Sequence, residues 1–568
     1  MLVILINWLY IGITAFLMGY AVLGLFARLF EYRIRHTKVC FLAGLAVVTV
    51  YAQVFSLFAG VGMIANILLC VFCAGVVGVS RKSLWNLLKN VWEMFRERKW
   101  YLPVVAALIL LMAYGTSRGY MHFDTSLYHA QSIRWIEEYG VVPGLGNLQS
   151  RFGYNSASFA LTALYSMKGI FGQSLHTTAG FFALLSSFFV LDLGQIFGEK
   201  KIRLSDFARI GLLFYLSVIF IEMMSPASDY YAMLLLFDIL VLWLEEDEYQ
   251  KENGTCNPTP YALLCILMVF AVTVKFSVAP LLLLVIKPAV MLIGKKDSKQ
   301  IITCLLSGLF VALPFFIRNV IISGWLIYPS TLIDWFDVDW KIPKEQADFD
   351  AAEIGVYGKG MTDATLKDTP FSDWFPVWFE ALKSLEKVFF LMTVTALVLG
   401  AVYTVYVLVR RKKEGYDFSF VFCVFTVSAL FWFLSAPLIR YGYAYVVALP
   451  LVTFGYFFLC FLKGKIGRLY ADTLYRIFAV ALVLFFATRV KGLCENIVRT
   501  YKQPYYLMQT DYEDGEAVTQ EVDGITFYVP TDRAQIGYHK FPSSLLVWPI
   551  ELRGDAIEDG FRQVEEWK

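Results

Sequence analysis

The sequence predicts an all-α, polytopic membrane protein with about fourteen transmembrane helices and a small extracytoplasmic α/β domain at its C-terminal end. Three observations carry this. The 568 residues are 58% hydrophobic and only 17% charged, with a mean hydropathy of +0.59, whereas a soluble domain carries about 25% charged residues. Apolar runs long enough to cross a hydrocarbon core of ~30 Å as a helix recur along most of the chain. The lysines and arginines gather in short segments between those runs. The net charge of +2 provides no broad basic field for nucleic acid.

In order, the apolar runs fall at about 2–30, 39–58, 60–79, 101–117, 176–197, 207–224, 229–245, 260–275, 277–294, 301–320, 387–409, 418–436, 441–462 and 474–490. No Lys or Arg precedes Arg28, so the first run reads as a retained span and not as a signal peptide. The basic segments RIRHTK (33–38), 80–99, EKKIR (199–203), GKK (294–296), RRKK (410–413) and KGKIGR (463–468) alternate correctly if all are cytoplasmic loops. Both termini then face away from the cytoplasm. Ser156–Ile170 is apolar, but as a span it would invert every later basic cluster. It reads instead as a helix lying in or dipping into the outer interface.

This pattern divides the chain into an N-terminal four-span segment (1–117), an extracytoplasmic loop with interfacial helices (118–175) and a central membrane bundle (176–320). A second extracytoplasmic loop (321–386), a C-terminal membrane bundle (387–490) and an extracytoplasmic C-terminal domain (491–568) follow. Polar residues concentrate at the outer ends of spans: Glu222, Ser225, Pro226, Ser228, Asp229, Lys275, Ser277, Arg318, Asn319, Arg440 and Tyr441. Such clustering points to one outward-facing site.

The first loop is the most informative stretch. Asp124 sits just past a span, flanked by His122 and His129. A carboxylate there can accept the proton of an acceptor hydroxyl, or it can cap the helix that DTSLYHAQSIRWIEE predicts. His122 and His129 suit hydrogen bonding to substrate or to Asp124. A metal site is the weaker reading, because Asp124 and His129 are five residues apart and no third ligand is evident. Lys275, at a break between two apolar runs, suits a lipid phosphate as a point charge or snorkels to the interface. Arg318 and Arg440 suit a phosphate or diphosphate, or anchor span ends beside aromatic residues. In SPASDYY (225–231), Asp229 either caps the next helix or joins the site. Asp192 and Asp238, farther along their spans, read as partners inside the bundle. IDWFDVDWKIP (333–343) and FSDWFPVWF (371–379) interleave Trp with Asp. That composition suits sugar rings, and interfacial docking explains it equally. The nine cysteines show neither metal-ligand spacing nor a disulfide framework. Walker A, GxSxG, HExxH and GxGxxG motifs are missing, and no metal or other cofactor is expected.

HFDTSLYHAQSIRWIEEYGVVPGLGNLQSRFGYNS, SPASDYY, TVKFS, RNVIISGWLIYP, IRYGYAY and ELRGDAIEDGFR, spread over residues 118–564, resemble stretches of a family of bacterial polytopic membrane proteins. The pattern as a whole resembles the GT-C superfamily of membrane glycosyltransferases. That resemblance implies a first extracytoplasmic loop with a catalytic aspartate, matched in position by Asp124, and a polyprenyl-phosphate or diphosphate sugar donor. Lys275, Arg318 and Arg440 match basic positions only in lying at outer span ends. Two departures stand out. Three spans would lie between the first run and the catalytic loop, and a single aspartate replaces the common acidic pair. The resemblance also suggests cysteines near Gln535 and Ser543, which this chain lacks.

The implied activity is transfer of a sugar from a lipid-linked donor to a cell-envelope glycan or lipid acceptor, on the outer face of a bacterial plasma (inner) membrane. Asp124 would be catalytic. His122, His129, Asp229, Lys275, Arg318, Arg440 and Tyr441 would bind substrate. A flippase or transporter of lipid-linked oligosaccharide, and a glycan polymerase or ligase, are the alternatives. The expected partners are the donor, the acceptor and the bilayer, with no nucleic acid.

Overall fold

Backbone groups inside a bilayer have no water to bond, so an apolar chain satisfies them within helices. The computed structural model describes residues 1–30, 32–97, 99–531 and 535–564. It is a bundle of helices with loops and two small sheets packed over one end.

Helices α1 (Leu2–Leu29) and α2 (Lys38–Ser56) lie antiparallel in direct backbone contact. A Cβ on Gly19 would fall 1.8 Å from the Cys40 carbonyl oxygen, and one on Gly44 would fall 1.6 Å from that of Ala15. Small residues allow this approach, as is common between membrane helices. Helix α3 (Met63–Glu97) continues through the basic stretch expected to be a loop. Neither Gly nor Pro occurs from Val79 to Glu97 to stop it. Its 35 residues extend about 52 Å at 1.5 Å per residue, well beyond a bilayer core. Helix α4 (Tyr101–Ser117) returns towards the first loop.

That loop holds a π-helical turn at Thr125–His129, α5 (Ala130–Glu138), α6 (Ala157–Leu164) and α7 (Lys168–Phe171). The eight residues of α6 reach only about 12 Å and cannot span. All eight are buried against α2, α5 and neighbouring helices, so α6 is a core element and not the interfacial helix expected. The central part comprises α8 (Thr178–Val190), α9 (Gln195–Glu199), α10 (Leu204–Ile219), α11 (Ser228–Asn253) and α12 (Thr259–Val274). A 3₁₀ stretch (Phe276–Val285), α13 (Ile286–Lys295) and α14 (Ser298–Ser323) follow. The second loop contains α15 (Lys344–Gly358) and α16 (Phe371–Ala381). Helices α17 (Ser384–Val409), α18 (Tyr416–Ser435), α19 (Ile439–Lys463), α20 (Lys465–Leu469) and α21 (Ala471–Thr500) complete the bundle.

Among the described residues, ten helices are long and apolar enough to cross a membrane, and Tyr101–Ser117 and Thr259–Val274 are apolar but shorter. The count of fourteen differs partly because α10 is only 16 residues long. Helix α11 also falls outside the ten: it carries Asp229, Asp238 and an acidic last turn, EEDEYQKEN. It is the central helix, buried over most of its length.

After Thr500 the described residues form strands and no α-helix, so the expected α/β domain is a small sheet region. β1 (Ala517–Val522) pairs antiparallel with β2 (Ile525–Pro530) through Asp523-Gly524, both at positive φ, as a two-residue hairpin turn requires. β3 (Ile550–Leu552) pairs antiparallel with β4 (Phe561–Gln563). Phe527, Ile536 and Phe561 pack with Trp135, Val142, Leu145, Leu148 and Phe152 of the first loop and with Ile322. The first loop, the second loop and the C-terminal region thus share one end of the bundle. The other end carries ion pairs such as Lys38–Asp192, Arg35–Glu246, Arg209–Glu245, Lys251–Asp417 and Lys287–Asp247, which join segments between the remaining helix ends.

Candidate functional site

Four helix ends converge under the loop cap. The segment between α4 and the π turn provides His122 and Asp124. The α10–α11 turn provides Glu222, Ser225 and Asp229. Lys275 terminates α12, where the backbone leaves the helix for an extended residue (φ −148°, ψ 112°). Arg440 and Tyr441 open α19 just after Pro437.

Gly119 lets the first of these segments approach the second. Its φ is +145°, and a Cβ there would fall 2.2 Å from the Ile221 carbonyl oxygen. The next amide, Tyr120 N–H, donates to that same oxygen at 2.8 Å. The His122 amide then donates to Ser225 Oγ at 2.7 Å. These bonds set His122 and Asp124 against the α10–α11 turn.

Arg440 is the hub. Its Nη2 donates to Asp124 Oδ2 at 2.9 Å, and its Nε lies 3.0 Å from Asp229 Oδ2. The His122 ring lies against its Nη1. Lys275 pairs with the other oxygen of Asp229, Oδ1, and stands 3.9 Å from the centre of the Tyr441 ring. Asp229 is 4% exposed, whereas the Asp124 side chain retains 24%. Burial, and then the positive charge of Arg440, hold His122 below the usual histidine range. Tyr128 is half-buried beside the cluster. Its phenol lies well above the usual tyrosine range, mainly through burial and then through the negative charge of Asp124.

The structure therefore brings His122, Asp124, Asp229, Lys275, Arg440 and Tyr441 together. His129 lies one π turn beyond Asp124, buried 3.5 Å from Thr125 Oγ1 and packed on the Tyr128 ring at 4.3 Å. Burial pushes it down to about 3, and Asp124 is the strongest charge acting on it. It is a neutral core residue facing the site from behind.

Three expectations need correction. Arg318 does not join the cluster. It is 1% exposed and donates to Ser56 Oγ and, at 3.3 Å, to Asn155 Oδ1, tying α14 to α2 and to the first loop. Asp124 makes no side-chain capping bond and has helical φ and ψ (−63°, −17°), because Arg440 takes its carboxylate. The cations also already have carboxylate partners. Lys275 and Arg440 are matched by Asp124 and Asp229, and Glu222 adds negative charge nearby. Among the described residues no group of three His, Cys, Asp or Glu could hold a metal ion.

A cavity of about 340 Å³ opens beside Arg440 and His122. It is lined by two carboxylates, Glu222 and Glu386, by Lys383, and by Tyr215, Tyr230, Tyr357, Tyr443 and Trp378. Tyr230 donates to Glu222 at 2.6 Å and Tyr443 to Glu386 at 2.9 Å. Glu222 belongs to the polar span ends visible in the sequence. Glu386, Tyr443 and Lys383 had no local signal, because only the packing of α17 against α19 brings them together. The second loop is used differently from its Trp/Asp composition. Trp374 and Trp378 are buried among Phe375, Phe390 and Phe433, while Asp334 and Asp339 pair with Lys341 and Arg553.

Residues 1–447, which include every member of the cluster, match the family described as Domain of unknown function (DUF8201). The chain belongs to this family. No curated protein and no solved structure matches it. The DUF8201 match takes in the loop cap up to α16 and ends within α19, short of the C-terminal sheets.

Proposed function

We propose that this DUF8201 protein is a membrane glycosyltransferase. In this reading it moves a sugar from a polyprenyl-phosphate or diphosphate donor to a cell-envelope glycan or lipid acceptor. The observation that carries the proposal is a partly exposed carboxylate held by Arg440, with the His122 ring 3.5 Å away. Asp124 is anchored by Arg440 and retains 24% exposure, and its neighbours Arg440 and His122 line a cavity of about 340 Å³ rich in tyrosines and carboxylates. Hydroxyl-rich ligands need many acceptors and donors with apolar ring faces between them, and that lining supplies both.

In the proposed reaction the acceptor hydroxyl gives its proton to Asp124 as its oxygen bonds to the anomeric carbon. The bond from that carbon to the donor phosphate breaks, and the phosphate leaves with the electron pair. Arg440 positions Asp124. Lys275, paired with Asp229, would share its charge between that carboxylate and the departing phosphate. Charge balance supports a donor that brings its phosphate only to the edge of the cluster, because its centre is already neutralised. Placing the active face and both termini outside the cytoplasm belongs to the same proposal, supported by the alternation of basic segments.

A transporter of lipid-linked oligosaccharide is the second reading, favoured by that same paired cluster, since buried ionisable networks also line transport paths. The test uses full-length protein in liposomes with a polyprenyl-phosphate hexose and glycan acceptors. Release of polyprenyl phosphate that requires protein and stops in Asp124→Asn supports transfer. Movement of intact donor between leaflets without release favours transport and overturns the enzyme.

A further inference from the structure

The C-terminal half of α3, at the end opposite the site, is largely exposed. Between it and α1, α2, α4 and α8 lies a groove of about 1050 Å³. Small-molecule pockets rarely exceed about 1,000 Å³. The walls are apolar: Phe16, Phe41, Leu84, Leu88, Val105 and Phe188 are typical. The charged lining is confined to three cations, Lys38, Arg81 and Lys82, with no carboxylate, and Thr37, Trp85 and Tyr101 add polar atoms. Lys38 is taken, since it donates to Asp192 and to the Phe188 carbonyl oxygen. Arg81 and Lys82 are exposed and pair with no carboxylate among the described residues.

The position matters as much as the composition. Met63, at the start of α3, lies beside Lys168 and Glu138 of the loop cap. Arg81 is 18 residues further along, about 27 Å by helix rise, which is close to the thickness of a hydrocarbon core of ~30 Å. On α3 the groove runs from Val77 to Met94, so its walls extend to both sides of the two free cations, which stand at headgroup depth. Trp85, 60% exposed and one turn beyond Arg81, sits where aromatic residues favour the interface.

We infer that this groove binds one anionic phospholipid of the leaflet opposite the catalytic face, with its chains against the α1–α3–α4 walls and its phosphate held by Arg81 and Lys82. The site is separate from the Asp124 cluster, and it stands whether or not that cluster transfers sugar. Only 22% of the α3 span is buried within the protein, through residues such as Ala65, Leu69 and Cys73, and bound lipid adds packing along its Val77–Met94 part.

The experiment is native mass spectrometry of the full-length protein in detergent, titrated with phosphatidylglycerol or with phosphatidylcholine of the same chains. One molecule of phosphatidylglycerol should be retained in preference. Each basic residue near a membrane surface contributes about fivefold in affinity for anionic lipid. Arg81→Gln/Lys82→Gln should therefore lose roughly 30-fold and equalise the two lipids. Both residues are exposed, so the fold should persist, as size-exclusion elution will show. Val105→Trp, which fills the groove and keeps the cations, should lose binding of both lipids. Equal retention of the two lipids by the wild type, or an unchanged preference in Arg81→Gln/Lys82→Gln, would overturn the inference.

Discussion

Replacing Asp124 by Asn separates chemistry from architecture. The structure sets the stability term. Asp124 loses one charge-assisted bond, from Arg440 Nη2 at 2.9 Å, with the two side chains 18% and 24% exposed. Fully exposed pairs contribute about 0–1 kcal/mol and breaking a buried pair costs about 3–5. A partly exposed pair whose cation keeps Asp229 should cost about 1–2 kcal/mol. No capping bond is lost, because the carboxylate makes none. Asp124→Ala should therefore melt within a few tenths of a kcal/mol of Asp124→Asn, whereas a capping role would make Ala worse by about 0.5–2 kcal/mol. If Asp124 is the general base, transfer should fall by about 10²–10⁴-fold in both variants. The assays are thermal melting of detergent-purified protein and release of polyprenyl phosphate from a lipid-linked hexose. A clear stability gap between Ala and Asn would refute the anchored-carboxylate geometry. Near-normal transfer in Asn would refute the base and move the search to Glu222.

Other consequences follow from the same geometry. Asp229→Asn leaves Lys275 without its carboxylate and Arg440 with Asp124 alone in a buried site, so it should destabilise by about 3–5 kcal/mol. Arg440→Gln combined with it should cost less than the sum of the singles, by about 0.5–3 kcal/mol in a double-mutant cycle of melting experiments. Gly119→Ala places a methyl group 2.2 Å from the Ile221 carbonyl oxygen at a φ of +145°. It should cost at least about 1–3 kcal/mol and lower transfer without touching any charged residue. His129 and His176 are pushed down to about 3 by burial, so the folded protein keeps them neutral while the unfolded chain protonates them near pH 6.5. Stability is then lost as pH falls below about 6.5, at up to roughly 1.4 kcal/mol per pH unit for each histidine. Half-buried Glu137, whose carboxyl lies above the usual range, opposes this at the acid end because the folded state takes its proton first. Melting temperatures from pH 7.5 to 5 should decline, and His176→Gln should flatten that slope whatever its effect on stability at neutral pH.

Much of the fold follows from local chemistry that any stretch of the chain carries. Apolar runs such as Ser384–Val409 and Ile439–Lys463 must be helices in a bilayer, and their ends are marked by RRKK and KGKIGR. The clustering of polar residues at span ends pointed to one site and named Asp229, Lys275, Arg440 and Tyr441, and the first loop named His122 and Asp124. Asp523-Gly524 makes its hairpin by itself. Tertiary packing decided the rest, because it depends on partners hundreds of residues away. Arg318 and Arg440 look alike in sequence, each at a span end among aromatics. Arg440 finds Asp124 and Asp229, which lie on other helices, while Arg318 finds only Ser56 and Asn155. Ala157–Leu164 is apolar enough for the interface, but α2 and α5 enclose it. Whether a buried cation is a ligand holder or a structural tie depends on the carboxylates that face it, and sequence spacing carries no record of those across different helices.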